Sequence, residues 1–240
     1  VSVLHFRDDA YLKNCEATVT GINERGGILT DQTVFYATAG GQPGDKGEIT
    51  WNGGRCSIAT TVYDEIKLPV HVPVEGQQPP PVGARVQMAI DWTNRHRIMR
   101  CHTMMHLLCA AVPFPVTGSS ITDEGGRIDF DIPEGQIPDR EELAARINGW
   151  ISEAHPVSTR WISEEELDAN PQLVRTLLVK PPRGTGRIRL VLIGENGGVD
   201  MQPCGGTHVK DTSEIGAIAV DKIQNKGKIN RRIRLVLVNP

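Results

Sequence analysis

The chain has 240 residues, 39% of them hydrophobic and 23% charged, enough apolar content to bury a core in one large or two small domains, which excludes a disordered chain. Its formal net charge of −3 excludes a uniformly basic nucleic-acid binder, although lysine and arginine gather locally. No apolar run approaches the ~20 residues of a membrane-spanning helix, the first residues lack a signal-peptide pattern, and the five cysteines, Cys15, Cys56, Cys101, Cys109 and Cys204, are odd in number and scattered rather than spaced as a disulfide framework; the expectation is a reducing, cytoplasmic setting with no membrane partner.

From Cys15 to about Trp92, short β-branched runs at residues 17–20, 34–36, 58–62, 70–72 and 86–90 alternate with glycine and proline. This spacing predicts a small all-β barrel over residues 1–92. Residues 77–83 contain three consecutive prolines and read as a loop, since proline denies donors to a ladder. The other punctuation is Ala39-Gly-Gly-Gln-Pro-Gly-Asp45, followed by Lys46-Gly47. It lacks the Gly-Lys-Ser/Thr ending of a phosphate-binding P-loop. Two readings stay open: a tight turn between strands, or a loop whose Gly40 and Gly41 backbone and Gln42 side chain lie against a ligand.

The pattern changes near Asp91 and Thr93, either of which can cap a helix running to Val112, where Pro113 stops it. Ile98, Met105, Leu108 and Val112 keep a helical apolar period. Asp139 with Glu142 opens a second helix that ends before His155-Pro156, and Ser163 with Glu166 opens a short third. Strands are expected at residues 127–130, 157–162 and 187–193, with a hairpin over 215–238 turning at Asn225-Lys-Gly-Lys228. Residues 93–240 therefore read as an α+β domain, a mostly antiparallel sheet with helices on one side.

Two couplets carry the chemistry, His102-Thr-Met-Met-His106 and Cys204-Gly-Gly-Thr-His208. Side chains at i and i+4 of a helix stand about 5–6 Å apart on one face, so both histidines can reach one ion at about 2.0–2.1 Å. Gly205 and Gly206 permit a tight turn between Cys204 and His208. The expected product is a tetrahedral zinc site, without the glutamate a zinc-protease motif requires. Cys109, at i+3 from His106, reads as a small buried hydrophobe, and Cys101 projects about 100° away from His102; neither joins the set. Four protein ligands make a closed, structural pattern, and release of one would make it catalytic; both stay open. Basic residues flank the couplets: Arg95, Arg97 and Arg100; Lys180, Arg183, Arg187 and Arg189; and Lys222, Lys226, Lys228, Arg231, Arg232 and Arg234. They are either solvated strand edges or phosphate contacts.

Four blocks in chain order, Gly40-Gly-Gln-Pro-Gly-Asp-Lys-Gly47, Arg100-Cys-His-Thr-Met-Met-His-Leu-Leu108, Gly118-Ser-Ser120 with Arg127-Ile-Asp-Phe130, and Cys204-Gly-Gly-Thr-His-Val209 with Thr212-Ser-Glu-Ile-Gly216, resemble the alanyl-tRNA editing family. That family comprises the editing domain of alanyl-tRNA synthetase and the free-standing AlaX-type proteins, and the layout is similar to the medium-sized free-standing class. The resemblance implies a barrel domain over 1–92 and a zinc-binding editing domain over 93–240. It implies ATP-independent hydrolysis of the ester joining serine, or glycine, to alanine tRNA, with the acceptor end of that tRNA as partner and His102, His106, Cys204 and His208 as zinc ligands. Gln42 sits in the matching glycine-rich motif. The stretch from His106 to Gly118 is shorter than a synthetase editing domain implies and holds Pro113 and Pro115, so no substrate-side Gln or His is placed there. Thr117 becomes the candidate hydroxyl that reads the substrate, with Gln42 as the second catalytic candidate and Gly40, Gly41, Ser119 and Arg100 as substrate-binding candidates. The alternatives are a non-catalytic RNA-binding module stapled by zinc and a zinc hydrolase acting on a small ester.

Overall fold

The computed structural model describes residues 2–174 and 186–238; Lys180 and Arg183 lie outside them. The chain divides into two compact units, Val1–His96 and Arg97–Pro240. Among the described residues no helix is long and apolar enough to cross a membrane, and all five cysteines are free thiols.

The first unit holds β1 (Val3–Leu4), β2 (Asn14–Ile22), β3 (Ile28–Thr30), β4 (Gln32–Thr33), β5 (Gly47–Trp51), β6 (Gly54–Tyr63), β7 (Pro69–Pro73) and β8 (Arg85–Ile90). Six of these close a barrel in the order β2, β3, β7, β6, β5, β8, and β8 pairs back to β2. Alternation drives closure. Along β8, Val86, Met88 and Ile90 turn inward while Arg85, Gln87 and Ala89 turn out, the period-2 pattern of a strand with one buried face. Val19, Ile49, Cys56 and Ile58 join them in the barrel core, where full burial of a residue such as Ile49 contributes about 1.5–3 kcal/mol.

Residues 34–36, expected as a strand, are buried but unpaired in any ladder. Side chains take the backbone groups instead. Asp45 Oδ2 accepts from the Tyr36 N–H at 2.5 Å, and Arg95 Nη2 donates to the Val34 carbonyl at 2.7 Å. Arg95 is fully buried and ion-paired with Asp45, so it is part of the core and not a phosphate contact. A buried charge demands such a partner.

The second unit continues α1 (Trp92–Ala111), inside which the boundary falls, and adds β9 (Val116–Ile121), β10 (Gly125–Asp131), α2 (Arg140–Ser152), β11 (Val157–Ser163), α3 (Glu164–Asp168), β12 (Arg187–Ile193), β13 (Asp200–Pro203), β14 (Ile218–Asn225) and β15 (Asn230–Leu237). Asp91 is the cap of α1, its Oδ1 accepting from the Asn94 N–H at 3.0 Å. From Ile98 to Cys109 only Arg100 escapes burial, so α1 is a central helix enclosed on all sides rather than an amphipathic surface one.

The strands make two antiparallel sheets rather than the single one expected: β14, β15, β10, β9, and β11, β12, β13. Helix α2 covers the edge of β14. Asn148 on α2 donates to the Ile218 carbonyl and accepts from the Ile218 N–H, both at 3.0 Å, and Arg140 Nε donates to the Val220 carbonyl at 2.6 Å. Helix α2 thus consumes the backbone groups another strand would use. The caps follow the sequence: Asp139 accepts from the Glu141 and Glu142 N–H groups, and Ser163 from Glu166. Helix α1 lies on the four-stranded sheet at Gly126, where an added Cβ would stand 2.8 Å from Met105 Sδ.

Candidate metal centre

Helix α1 presents His102 and His106 on one side, their ring centroids 5.3 Å apart, with His208 at 4.3 Å and 4.6 Å from them. One donor atom from each of His102, His106, Cys204 and His208 falls within 4.8 Å of all the others. Cys204 Sγ stands 3.5 Å from His102 Nε2 and 3.4 Å from His208 Nε2. A tetrahedral ion with Zn–S near 2.3 Å and Zn–N near 2.0–2.1 Å sets that edge at about 3.6 Å. Two edges of the group thus match those of a tetrahedral ion, and the four residues form a group that can hold one.

Hydrogen bonds orient the donors. His106 Nδ1 lies 2.9 Å from Asp200 Oδ2; a carboxylate only accepts, so Nδ1 carries a proton and Nε2 is the nitrogen left for a metal. Gln202 Nε2 steadies the same carboxylate oxygen at 2.8 Å. Thr103 does this for His208. Its hydroxyl donates to the Met99 carbonyl at 3.0 Å, which leaves Oγ1 to accept from His208 Nδ1 at 3.1 Å. The three histidines are buried and Cys204 is partly exposed.

Charges reinforce the arrangement. Burial raises the Cys204 pKa, but its interactions with His102 and His208, and hydrogen bonds from His102 and His106, prevail and hold it well below the ordinary thiol value, favouring the thiolate that binds metals. Burial works against a charged His106, yet its bonds to Asp200 and Cys204 lift it to about 9. Burial and the His102 charge push His208 well below its ordinary value. Burial pushes the Cys101 thiol up to about 12, and neither Cys101 nor Cys109 joins the group.

The turn between Cys204 and His208 works differently from expectation. Neither Gly205 nor Gly206 has positive φ. The Gly206 N–H instead donates to Cys204 Sγ at 3.3 Å, and the buried Arg189 donates through Nη1 to the carbonyls of Cys204 at 2.9 Å and Gly206 at 3.0 Å. The loop is thus clamped from β12.

The remaining candidates are carried by other segments of the chain. Gly40 and Gly41 have φ of 57° and 83°, a left-handed turn that favours glycine, and Gln42 is buried beside them, its backbone paired with Ala39. All three belong to the first unit. In the second unit, Thr117 on β9 donates to the Asp129 carbonyl at 3.2 Å and accepts from Asn230 Nδ2 at 2.7 Å. Ser119 is exposed on the same strand. Arg100 donates through Nε and Nη2 to the Ile215 carbonyl at 3.0 and 2.9 Å.

Residues 188–234 match the family model described as Threonyl and Alanyl tRNA synthetase second additional domain, and residues 3–94 match the one described as tRNA synthetases class II (A). The Alanyl-tRNA editing protein AlaX-M of Methanosarcina barkeri is 31% identical over 96% of this chain and 97% of its own length, and that of Methanosarcina mazei is 33% identical over 96% and 94%. The chain belongs to the AlaX-M family. Alanine–tRNA ligase of Pyrobaculum arsenaticum is 34% identical over 91% of the chain, which covers 25% of that longer protein. In this AlaX-M family member, sequence reasoning overlooked Asp200, Gln202 and Thr103, which orient the donors, and it read Arg189 as a strand-edge or phosphate-contact cation, whereas Arg189 is buried and clamps the Cys204 loop. Asp200 and Gln202 alternate as buried polar residues on a strand leading into Cys204, and Thr103 sits inside the histidine couplet; both were the available signals.

Proposed function

We propose that this protein is a trans-editing hydrolase that releases serine, and secondarily glycine, wrongly esterified to alanine tRNA, at a zinc ion held by His102, His106, Cys204 and His208. The observation that carries this reading is the end-to-end match to proteins named alanyl-tRNA editing protein in a chain with a preformed four-donor group. Bound zinc would supply Lewis acidity, or a water with its pKa lowered to about 7.

The chain's own residues set the rest. Asp200 and Thr103 hold Nδ1 of His106 and His208, which leaves Nε2 of each as the nitrogen that would bind the metal, and Arg189 fixes the Cys204 loop. In the hydrolysis, a water oxygen adds to the ester carbonyl, the bond to the ribose oxygen breaks, and that oxygen takes a proton; with no glutamate in either couplet, the proton passes through a substrate hydroxyl or a water. Selection follows from hydroxyl chemistry. An alanine pocket cannot strongly reject an isostere that only adds a hydroxyl, whereas a site built to bond that hydroxyl rejects alanine well. Thr117 donates to one carbonyl and accepts one N–H, which leaves a lone pair for a serine hydroxyl. Gln42, Gly40, Gly41, Ser119 and Arg100 complete the proposed substrate contacts.

The test is release of labelled serine from seryl-tRNA(Ala), with alanyl-tRNA(Ala), a chelated sample and His102→Ala in parallel. Selective release lost in the last two is expected; full activity without metal would sink the assignment. The complete set of four protein donors favours one other reading, a non-catalytic module that zinc stabilises. It requires tRNA binding with no serine release.

A further inference from the structure

We propose that the outer face of the four-stranded sheet docks the phosphate backbone of an RNA duplex. Given the editing reaction proposed above, on which the identity of the RNA rests, that duplex is the acceptor stem of the tRNA. The inner face is committed to the core: Gly126 abuts Met105 of α1, and Ile128, Phe130, Ile233 and Leu235 are buried. Alternation sends Arg127 and Asp129 of β10, Arg232 and Arg234 of β15, and Lys222 and Gln224 of β14 to the other side.

The register makes that side unusual. Lys222 pairs with Arg234, and Arg234 pairs with Arg127, so three cations stand directly opposite one another across neighbouring strands about 4.8 Å apart. Like charges placed this way destabilise a sheet. Nearby carboxylates offset them only in part. Asp129 takes Arg232 through two bonds of 2.7 and 2.8 Å and Arg127 through one of 2.8 Å. Asp221 stands 3.5 Å from Arg234, and Asp131 accepts from Asn230 at 3.1 Å. With Lys226 and Lys228, both exposed where the hairpin turns, cations outnumber carboxylates six to three, in a chain whose net charge is −3. The Arg234 side chain is 55% exposed and that of Arg127 33%. A polyanion offsets the repulsion that the protein's own carboxylates leave.

The composition selects a duplex. Phe130, the only aromatic residue in the four strands, is fully buried, so the face offers no ring on which single-stranded bases can stack. A flat array of arginine and lysine suits a duplex backbone, which is recognised by shape and by phosphate and 2′-hydroxyl contacts.

The experiment measures the Kd of an uncharged acceptor-stem hairpin by fluorescence anisotropy across a salt series, using the full chain. The double variant Lys222→Gln/Arg234→Gln should raise Kd about tenfold and reduce the slope of log Kd against log salt by about 1.5, since each lost phosphate contact removes about 0.7–0.9. Its thermal midpoint should not fall. Lys222→Arg/Arg234→Lys, which keeps both charges, should restore the slope. Unchanged Kd and slope in the double variant would overturn the proposal. A wild-type protein that binds the hairpin with the expected slope but releases no amino acid would overturn the editing reaction and leave the docking face standing.

Discussion

His71 shows how one residue sets a pH dependence. It is fully buried, its Nδ1 donates to the Ile28 carbonyl at 2.9 Å, and its Nε2 lies 2.8 Å from Thr33 Oγ1. With Nδ1 donating to Ile28, the neutral ring leaves Nε2 to accept the Thr33 hydroxyl proton, while Thr33 Oγ1 accepts from the Phe35 N–H. Burial lowers the His71 pKa from 6.5 to about 4, against the raising effect of the Ile28 bond. The unfolded chain takes up a proton near pH 6.5 while the folded chain does not until about 4. Stability from neutral His71 is therefore present above pH 6.5 and lost as pH falls to 4, by about 3 kcal/mol. Urea midpoints at pH 7 and pH 4.5 should differ less in His71→Gln than in the wild type; an equal difference would rule out His71 as the source. Asp200 works on the metal side. Asp200→Asn should weaken zinc affinity about 10–100-fold in competition with a chelator, and unaltered affinity would mean that the carboxylate does not orient His106.

At the scale of elements, α2 protects an edge. Asn148→Ala removes both bonds to Ile218 and should lower unfolding free energy by about 2 kcal/mol, readable as a lower denaturant midpoint with an unchanged slope; an unshifted midpoint would show that water replaces the amide at no cost. Helix α2 was legible because its cap is local: Asp139 bonds residues two and three positions away. Strand β12 was legible from the apolar run of residues 190–193 that ends it. Strand β9 was not, because Thr117-Gly-Ser-Ser120 carries no apolar alternation and is a strand only by pairing with β10. Residues 34–36 failed in the opposite sense. Their β-branched and aromatic character is that of a strand, but Asp45 and Arg95 claim their backbone.

At the scale of the molecule, the donors come from α1 and from a loop that Arg189 holds independently of any ion. The barrel has its own apolar core, and so does the three-stranded sheet with α3. Chelation should therefore lower the thermal midpoint while leaving far-UV circular dichroism nearly intact. Collapse of the secondary structure would instead mark the metal as a folding staple.

By itself, the sequence determined the histidine couplet, the Cys204/His208 couplet, the barrel strands with clear alternation and the capped helices, because each is written in spacings of two to four residues. Only the tertiary structure decided that the couplets converge, that Asp200 reaches His106 across 94 residues, that Arg95 is a buried partner of Asp45 rather than a surface cation, and that Lys222, Arg234 and Arg127 share one row. Such pairings depend on strand register and helix packing. Residues far apart in the chain leave no periodic mark of where they will meet.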